Sequence, residues 1–89
     1  MYRIEVAPAA GREIMKLRAR IKINDFDRIR DAITNLTQEP RPQGVRKMKG
    51  AEKAYRIRVG RYRVIYEVYD SDNLVLILLI TRRSETTYR

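Results

Sequence analysis

Three runs of alternating apolar residues lie close together in the C-terminal half of the chain, at 54–59, 62–69 and 74–81. Gly60-Arg61 separates the first pair, and Asp-Ser-Asp-Asn at 70–73 separates the second. A period of two predicts strands, because successive side chains of an extended chain point to opposite faces. Connections of two and four residues are too short for a parallel crossover, so the runs are predicted to form an antiparallel meander. Glycine at the first position of the two-residue turn favours type II′ geometry, which matches hairpin twist. The segment Leu-Val-Leu-Ile-Leu-Leu-Ile, 74–80, is apolar on both faces and reads as a central strand.

Upstream the pattern changes. Tyr2, Ile4 and Val6 alternate with Arg3 and Glu5, which predicts another strand. Pro8 suits the first turn of a helix, and Ala10, Ile14, Leu17 and Ile21 recur at helical spacing over 8–21. Asn24 is placed to cap a second helix, with Asp25 and Asp27 in its first turn and Phe26, Ile29, Ile33 and Leu36 on its apolar stripe. Glu39-Pro40 is expected to end it, since proline disfavours the helical region for the residue before it. Residues 40–52 then read as a loop rich in Pro, Gly and positive charge. Helices bunched ahead of strands predict an α+β fold. The expectation is an antiparallel sheet of about four strands, both helices on one face, and the first strand beside the last. At 89 residues, a single domain spanning 1–89 is expected.

The net charge is +9, from 20 Lys+Arg against 11 Asp+Glu, which predicts an anionic partner. Cysteine and histidine are absent. Thiolate chemistry is thereby excluded and the commonest metal ligand is missing, so neither a metal nor another cofactor is expected. No secretory signal is visible, and 74–80 is too short to span a bilayer as a helix. The expected location is the cytoplasm, without a membrane partner.

The charges on the meander follow from the pairing. A turn at 60–61 sets 59 against 62, 58 against 63, 57 against 64 and 55 against 66. Tyr55, Ile57, Val59, Tyr62, Val64 and Tyr66 then share one face, suited to a core under the helices. The other face sets Arg58 directly across from Arg63, with Arg56 two residues along. Like charges in that arrangement destabilise a sheet by about 0.2–1 kcal/mol. Carrying the pairing through the second turn, 69 against 74, sets Arg63 opposite Ile80 and aims Arg82 the same way. Arg46, Lys47 and Lys49 approach from the flank, and Tyr88 follows within reach on the C-terminal tail. Each arginine alone also fits a solvated strand position, with Glu67 as a partner for Arg56 or Arg58. Convergence of cations from three strands is what points to an anion. Guanidinium forks match phosphate oxygens, and tyrosine stacks on bases.

The order of elements, the hairpin Tyr-Arg-Ile-Arg-Val-Gly-Arg-Tyr-Arg-Val-Ile-Tyr-Glu-Val, the preceding Lys-Met-Lys-Gly and the terminal Arg-x5-Tyr together resemble the RelE/ParE superfamily of bacterial and archaeal toxins. The likeness covers nearly the whole chain. It implies a RelE-like toxin of a type II toxin–antitoxin system, a ribosome-dependent endoribonuclease that cuts mRNA in the A site and is silenced by a cognate antitoxin. It also implies a catalytic set: Arg56 and Arg58 on the first hairpin strand, Arg63 on the second, Arg82 at the end of the last, and Tyr88. Arg46, Lys47, Lys49, Arg61 and Arg83 would add RNA-binding charge. This sequence departs from many members in having no histidine near its end, and no additional C-terminal helix is expected after Tyr88.

Metal-free scission uses the 2′-hydroxyl as nucleophile and needs charge stabilisation at the phosphate and a proton acceptor. Arg63 and Arg82 are expected to clamp the scissile phosphate, Arg56 and Arg58 to hold flanking phosphates, and Tyr88 to stack or move a proton. Glu67 and Glu85 are conceivable bases. The alternatives are a ParE-like inhibitor of DNA gyrase and a non-catalytic RNA-binding domain.

Overall fold

The computed structural model describes residues 1–82. In chain order the elements are β1 (Arg3–Val6), α1 (Pro8–Arg20), α2 (Ile23–Asn35), β2 (Arg46–Lys47), β3 (Ala54–Val59), β4 (Tyr62–Tyr69), a 3-10 turn (Asp70–Asp72) and β5 (Leu74–Arg82). One five-stranded sheet has the order β1-β5-β4-β3-β2. β1 runs parallel to β5, and every other pairing is antiparallel. The α+β architecture and the pairing of first strand with last are as the sequence predicts. The sheet has one strand more than expected, and its β1–β5 pair is parallel where an antiparallel sheet is predicted.

The extra strand lies inside the presumed loop. Arg46 and Lys47 pair with Arg56 and Tyr55, and the Met48 N–H donates to the Ala54 carbonyl at 2.9 Å. Two cations carry no hydrophobic alternation, so the pattern is silent there. Such a short, charged edge is one way a sheet avoids pairing with other chains. Glycines with positive φ, Gly44 at 89° and Gly50 at 77°, bracket it.

Both helices cover one sheet face because their apolar stripes match its inward row. Buried Ala10 and Leu17 of α1 and Ile29 of α2, with Leu36 just after it, meet Ile57, Tyr62, Val64, Tyr66, Val68, Val75, Ile77 and Ile80. α2 differs from expectation at both ends. Lys22, not Asn24, holds the N-cap position, and no side chain caps the helix. Asp25 lies in the first turn, whereas Asp27 pairs with Arg30 three residues on. The helix stops at Asn35, ahead of Glu39-Pro40, and Leu36 as C-cap is 1% exposed. The Tyr2 N–H takes the Thr37 carbonyl at 2.8 Å, so β1 fastens the helix end from outside. A tertiary contact thus ties down the C-terminal end that local signals misplace.

The hairpin register agrees with the prediction at every pair: Tyr55 with Tyr66, Ile57 with Val64, Arg58 with Arg63, Val59 with Tyr62. Gly60 has φ 59°, while Arg61 is not among the positive-φ residues, which fits type II′ and excludes I′. The β4–β5 ladder departs from prediction. It starts as expected at Tyr69 with Leu74, but slips by one residue between Ile65 and Tyr66. Tyr66 pairs with Ile77 and Ile65 with Leu79, leaving Leu78 as the bulged residue. Past the bulge the alternation inverts: Val75 and Ile77 point inward before it, Ile80 after it. No described helix is long and apolar enough to cross a membrane.

Candidate functional site

On the uncovered face, neighbouring strands set cations side by side. Arg58 pairs with Arg63 across β3–β4, and Arg56 pairs with Arg46 across β3–β2. Cross-strand partners share a face at a strand spacing of about 4.8 Å. These four arginines, with Gln43 and Gly44, line a concavity of about 320 Å³. Arg46 and Arg58 are exposed, and Arg56 and Arg63 are half-buried. Among the described residues, none of Arg46, Arg56 and Arg58 takes part in an ion pair. Four cations around one hollow produce a positive field that favours an anionic ligand. Gln43 and Gly44 escaped the sequence reading. The only trace of them is the Pro-Gln-Gly turn that delivers β2.

The bulge relocates one predicted member. Arg63 lies opposite Thr81, not Ile80, and Arg82 pairs with buried Tyr62. Arg82 therefore projects on the helix-covered side, where it lines a separate cleft with Arg61. It does not join Arg63 on the open face, because one inserted residue reverses every side chain beyond it. Lys47 pairs with Tyr55 and so faces away from Arg46, while Lys49 sits in the following turn with Gly50. Tyr88, Arg83 and Glu85 lie outside the described residues.

Glu67 is neither a partner of Arg56 or Arg58 nor a base beside the cluster. It pairs with Ala54, and four residues of strand put it roughly 13 Å from Arg63. Its carboxylate accepts the Tyr69 hydroxyl at 2.6 Å, a hydrogen bond that holds the Tyr69 phenol above its ordinary range. Among the described residues no group of three acidic side chains is placed to hold a metal.

At the other end of the hairpin an arginine is paired within the fold. Arg41 donates to both Asp70 oxygens, at 3.2 and 2.8 Å, and to the Tyr55 hydroxyl at 3.0 Å, with its guanidinium 5.3 Å from the Tyr55 ring centre. Asp70 also accepts the Tyr2 hydroxyl at 2.6 Å. The bonds from Arg41, then Tyr2, hold the Asp70 carboxyl below its usual range. The hydrogen bond to Asp70, then that to Tyr55, raises Arg41 further. Tyr66, wholly buried and stacked on Tyr55 at 5.9 Å, donates to the Pro40 carbonyl at 2.8 Å. Burial, chiefly, pushes its phenol well above 10. These contacts bind the 36–45 segment to the sheet and so hold Gln43, Gly44 and Arg46 beside β3.

The family model for the ParE toxin of type II toxin–antitoxin systems matches residues 4–87. The chain belongs to the RelE/ParE toxin superfamily. A curated relative, named as toxin RelE1 from Methanocaldococcus jannaschii, is 30% identical over 63 residues, covering 67% of this chain and 70% of that one. RelE in the archaeal RelE–RelB complex from Pyrococcus horikoshii superposes with a TM-score of 0.78 at 27% identity, over 94% of this chain and 97% of that one. The isolated RelE toxin of E. coli gives 0.79 at 17% identity, over 98% and 89%, a likeness of fold. This member of the superfamily is thus a toxin of a type II toxin–antitoxin system whose open sheet face carries the four-arginine hollow.

Proposed function

We propose that the protein is a ribosome-dependent endoribonuclease that cuts mRNA by attack of the 2′-oxygen on the adjacent phosphate. The observation that carries this reading is the Arg58–Arg63 pair at the centre of the open-face concavity, flanked by Arg46 and Arg56. Four guanidinium groups from three strands on one concave lining build a positive field suited to a phosphate backbone. Arg58 and Arg63 would clamp the scissile phosphate and stabilise charge as it builds on the phosphoryl oxygens. Arg46 and Arg56 would hold the flanking backbone. Tyr88 is proposed as the stacking or proton-transfer group, with Arg83 adding charge. Arg82 would act from the helix side of β5. Tyrosine and arginine are poor bases at neutral pH, so orientation of the 2′-oxygen by the ribosome supplies much of the rate.

The same face suits an antitoxin. Leu74, Leu76 and Leu79 of β5 and Ile65 of β4 form an apolar strip beside the cations, and Leu79 is 38% exposed. An amphipathic, acidic segment would satisfy both parts, and the RelE of P. horikoshii is held in complex with RelB.

Mapping mRNA 5′ ends in a translating extract dosed with the protein tests the reading. Cuts confined to ribosome-occupied codons, with free RNA left nearly intact, are the expected result. The match to a ParE model favours a second reading, inhibition of DNA gyrase. Loss of supercoiling with mRNA intact would establish it and exclude the nuclease.

A further inference from the structure

The helix side of the sheet carries a second cationic cleft, of about 570 Å³. Its rim is built from three places: Arg20 at the end of α1, Lys22 and Arg28 at the start of α2, and Arg61 and Arg82 from the sheet. Among the described residues Asp25 is the single acid on the lining. Two of these residues have a local reason to be there. Arg20 complements the C-terminal end of α1 and Asp25 the N-terminal end of α2. Lys22 and Arg28 lie three residues either side of Asp25, whereas Arg61 and Arg82 come from the sheet with no such neighbour among the described residues of the lining. None of the five forms an ion pair among the described residues. The floor is apolar, formed by Ile21, Val59 and the ring of Tyr62.

The two concavities meet at one structural element. Arg58 and Arg63 line the open-face hollow, while Val59, Gly60, Arg61 and Tyr62 line the helix-side cleft. Adjacent residues of one hairpin therefore face two basic surfaces, joined around the Gly60-Arg61 tip. We infer that the helix-side cleft is a second binding site for the RNA sugar–phosphate backbone. Cations on the rim take phosphates and the apolar floor takes a ribose or base. The strand continues around the hairpin tip to the open face. This extends the RNA-directed reading above, but it concerns binding and not cleavage.

The test uses the full chain and a labelled twelve-nucleotide oligouridylate, with no ribosome present. For single strands the logarithm of the binding constant falls with the logarithm of salt by about 0.7 per phosphate engaged. The triple variant Arg20→Gln/Lys22→Gln/Arg28→Gln changes three exposed side chains. It should keep its circular dichroism spectrum, bind about tenfold more weakly at physiological salt and lose about 2 from the salt slope. Oligouridylate should shift the backbone amides of Ile21, Gly60 and Arg61 more than inorganic phosphate does at equal ionic strength. Unchanged affinity and slope in the folded variant would overturn the inference, as would shifts confined to Arg46, Arg56, Arg58 and Arg63. If the variant lost binding to polyglutamate but not to oligouridylate, the cleft would belong to an acidic protein and the inference would fail. A protein that binds RNA through this cleft yet leaves mRNA whole in the extract sinks the nuclease reading alone.

Discussion

The two ends of the β3–β4 hairpin use arginine in opposite ways. At one end Arg41 is held by two bonds to Asp70, one to Tyr55 and a ring beneath it. At the other, Arg46, Arg56, Arg58 and Arg63 crowd one hollow with no carboxylate among the described residues that line it. The first arrangement lowers the energy of the folded chain and leaves little capacity for a ligand. The second sets like charges side by side, and Arg46, Arg56 and Arg58 form no ion pair among the described residues. Arginine-rich sequence is therefore not one signal. Whether a guanidinium braces the fold or waits for a phosphate depends on the carboxylates that the fold brings within reach.

The contrast breaks most sharply at Arg63. Arg63→Ala should lower mRNA cleavage in a translating extract at least 100-fold, the scale for one transition-state donor, with the thermal midpoint unchanged within a few degrees. Full activity from this folded variant removes Arg63 from the mechanism. Tyr66→Phe should do the reverse. Losing the bond to the buried Pro40 carbonyl costs about 1–3 kcal/mol in a denaturant melt, while cleavage per folded molecule stays near wild type.

A smaller effect separates the ends by pH. Hydrogen bonds from Arg41, then Tyr2, hold the Asp70 carboxyl below the usual carboxylate range in the fold. Its contribution is present above the unfolded value and is lost as pH falls through the folded one. The thermal midpoint should therefore drop more steeply below about pH 4 in the wild type than in Arg41→Ala, which lacks the partner. Parallel profiles would remove Asp70 from the acid response. The smallest effect is a gain: Arg58→Ala relieves the like-charge pair and should stabilise the fold by about 0.2–1 kcal/mol while reducing cleavage. A loss of stability would show that the pair is already neutralised within the chain.

The meander was legible because three alternating runs and two short turns permit little else. The prediction of Arg58 against Arg63 needed only the length of the first turn. The clamp at Arg41 was not legible. Arg41 meets Tyr55 and Asp70 across 14 and 29 residues, and Tyr2 reaches Asp70 across 68, and no local spacing joins them. Strand β2 was missed because Arg46-Lys47 has no apolar alternation to read. Asn24 is not the cap: the extended residue ahead of α2 is Lys22, and no side chain caps the helix.

Sequence alone determined the antiparallel hairpin, its register and the clustering of Arg56, Arg58 and Arg63, since alternation and a two-residue turn leave one geometry. Tertiary structure alone decided the side of the sheet on which Arg82 lies. Residues 74–80 are apolar at every position, so a slip of one residue leaves the pattern unchanged. Only packing against the helices, which buries Ile80 and not Leu79, fixes the bulge and turns Arg82 away from Arg63.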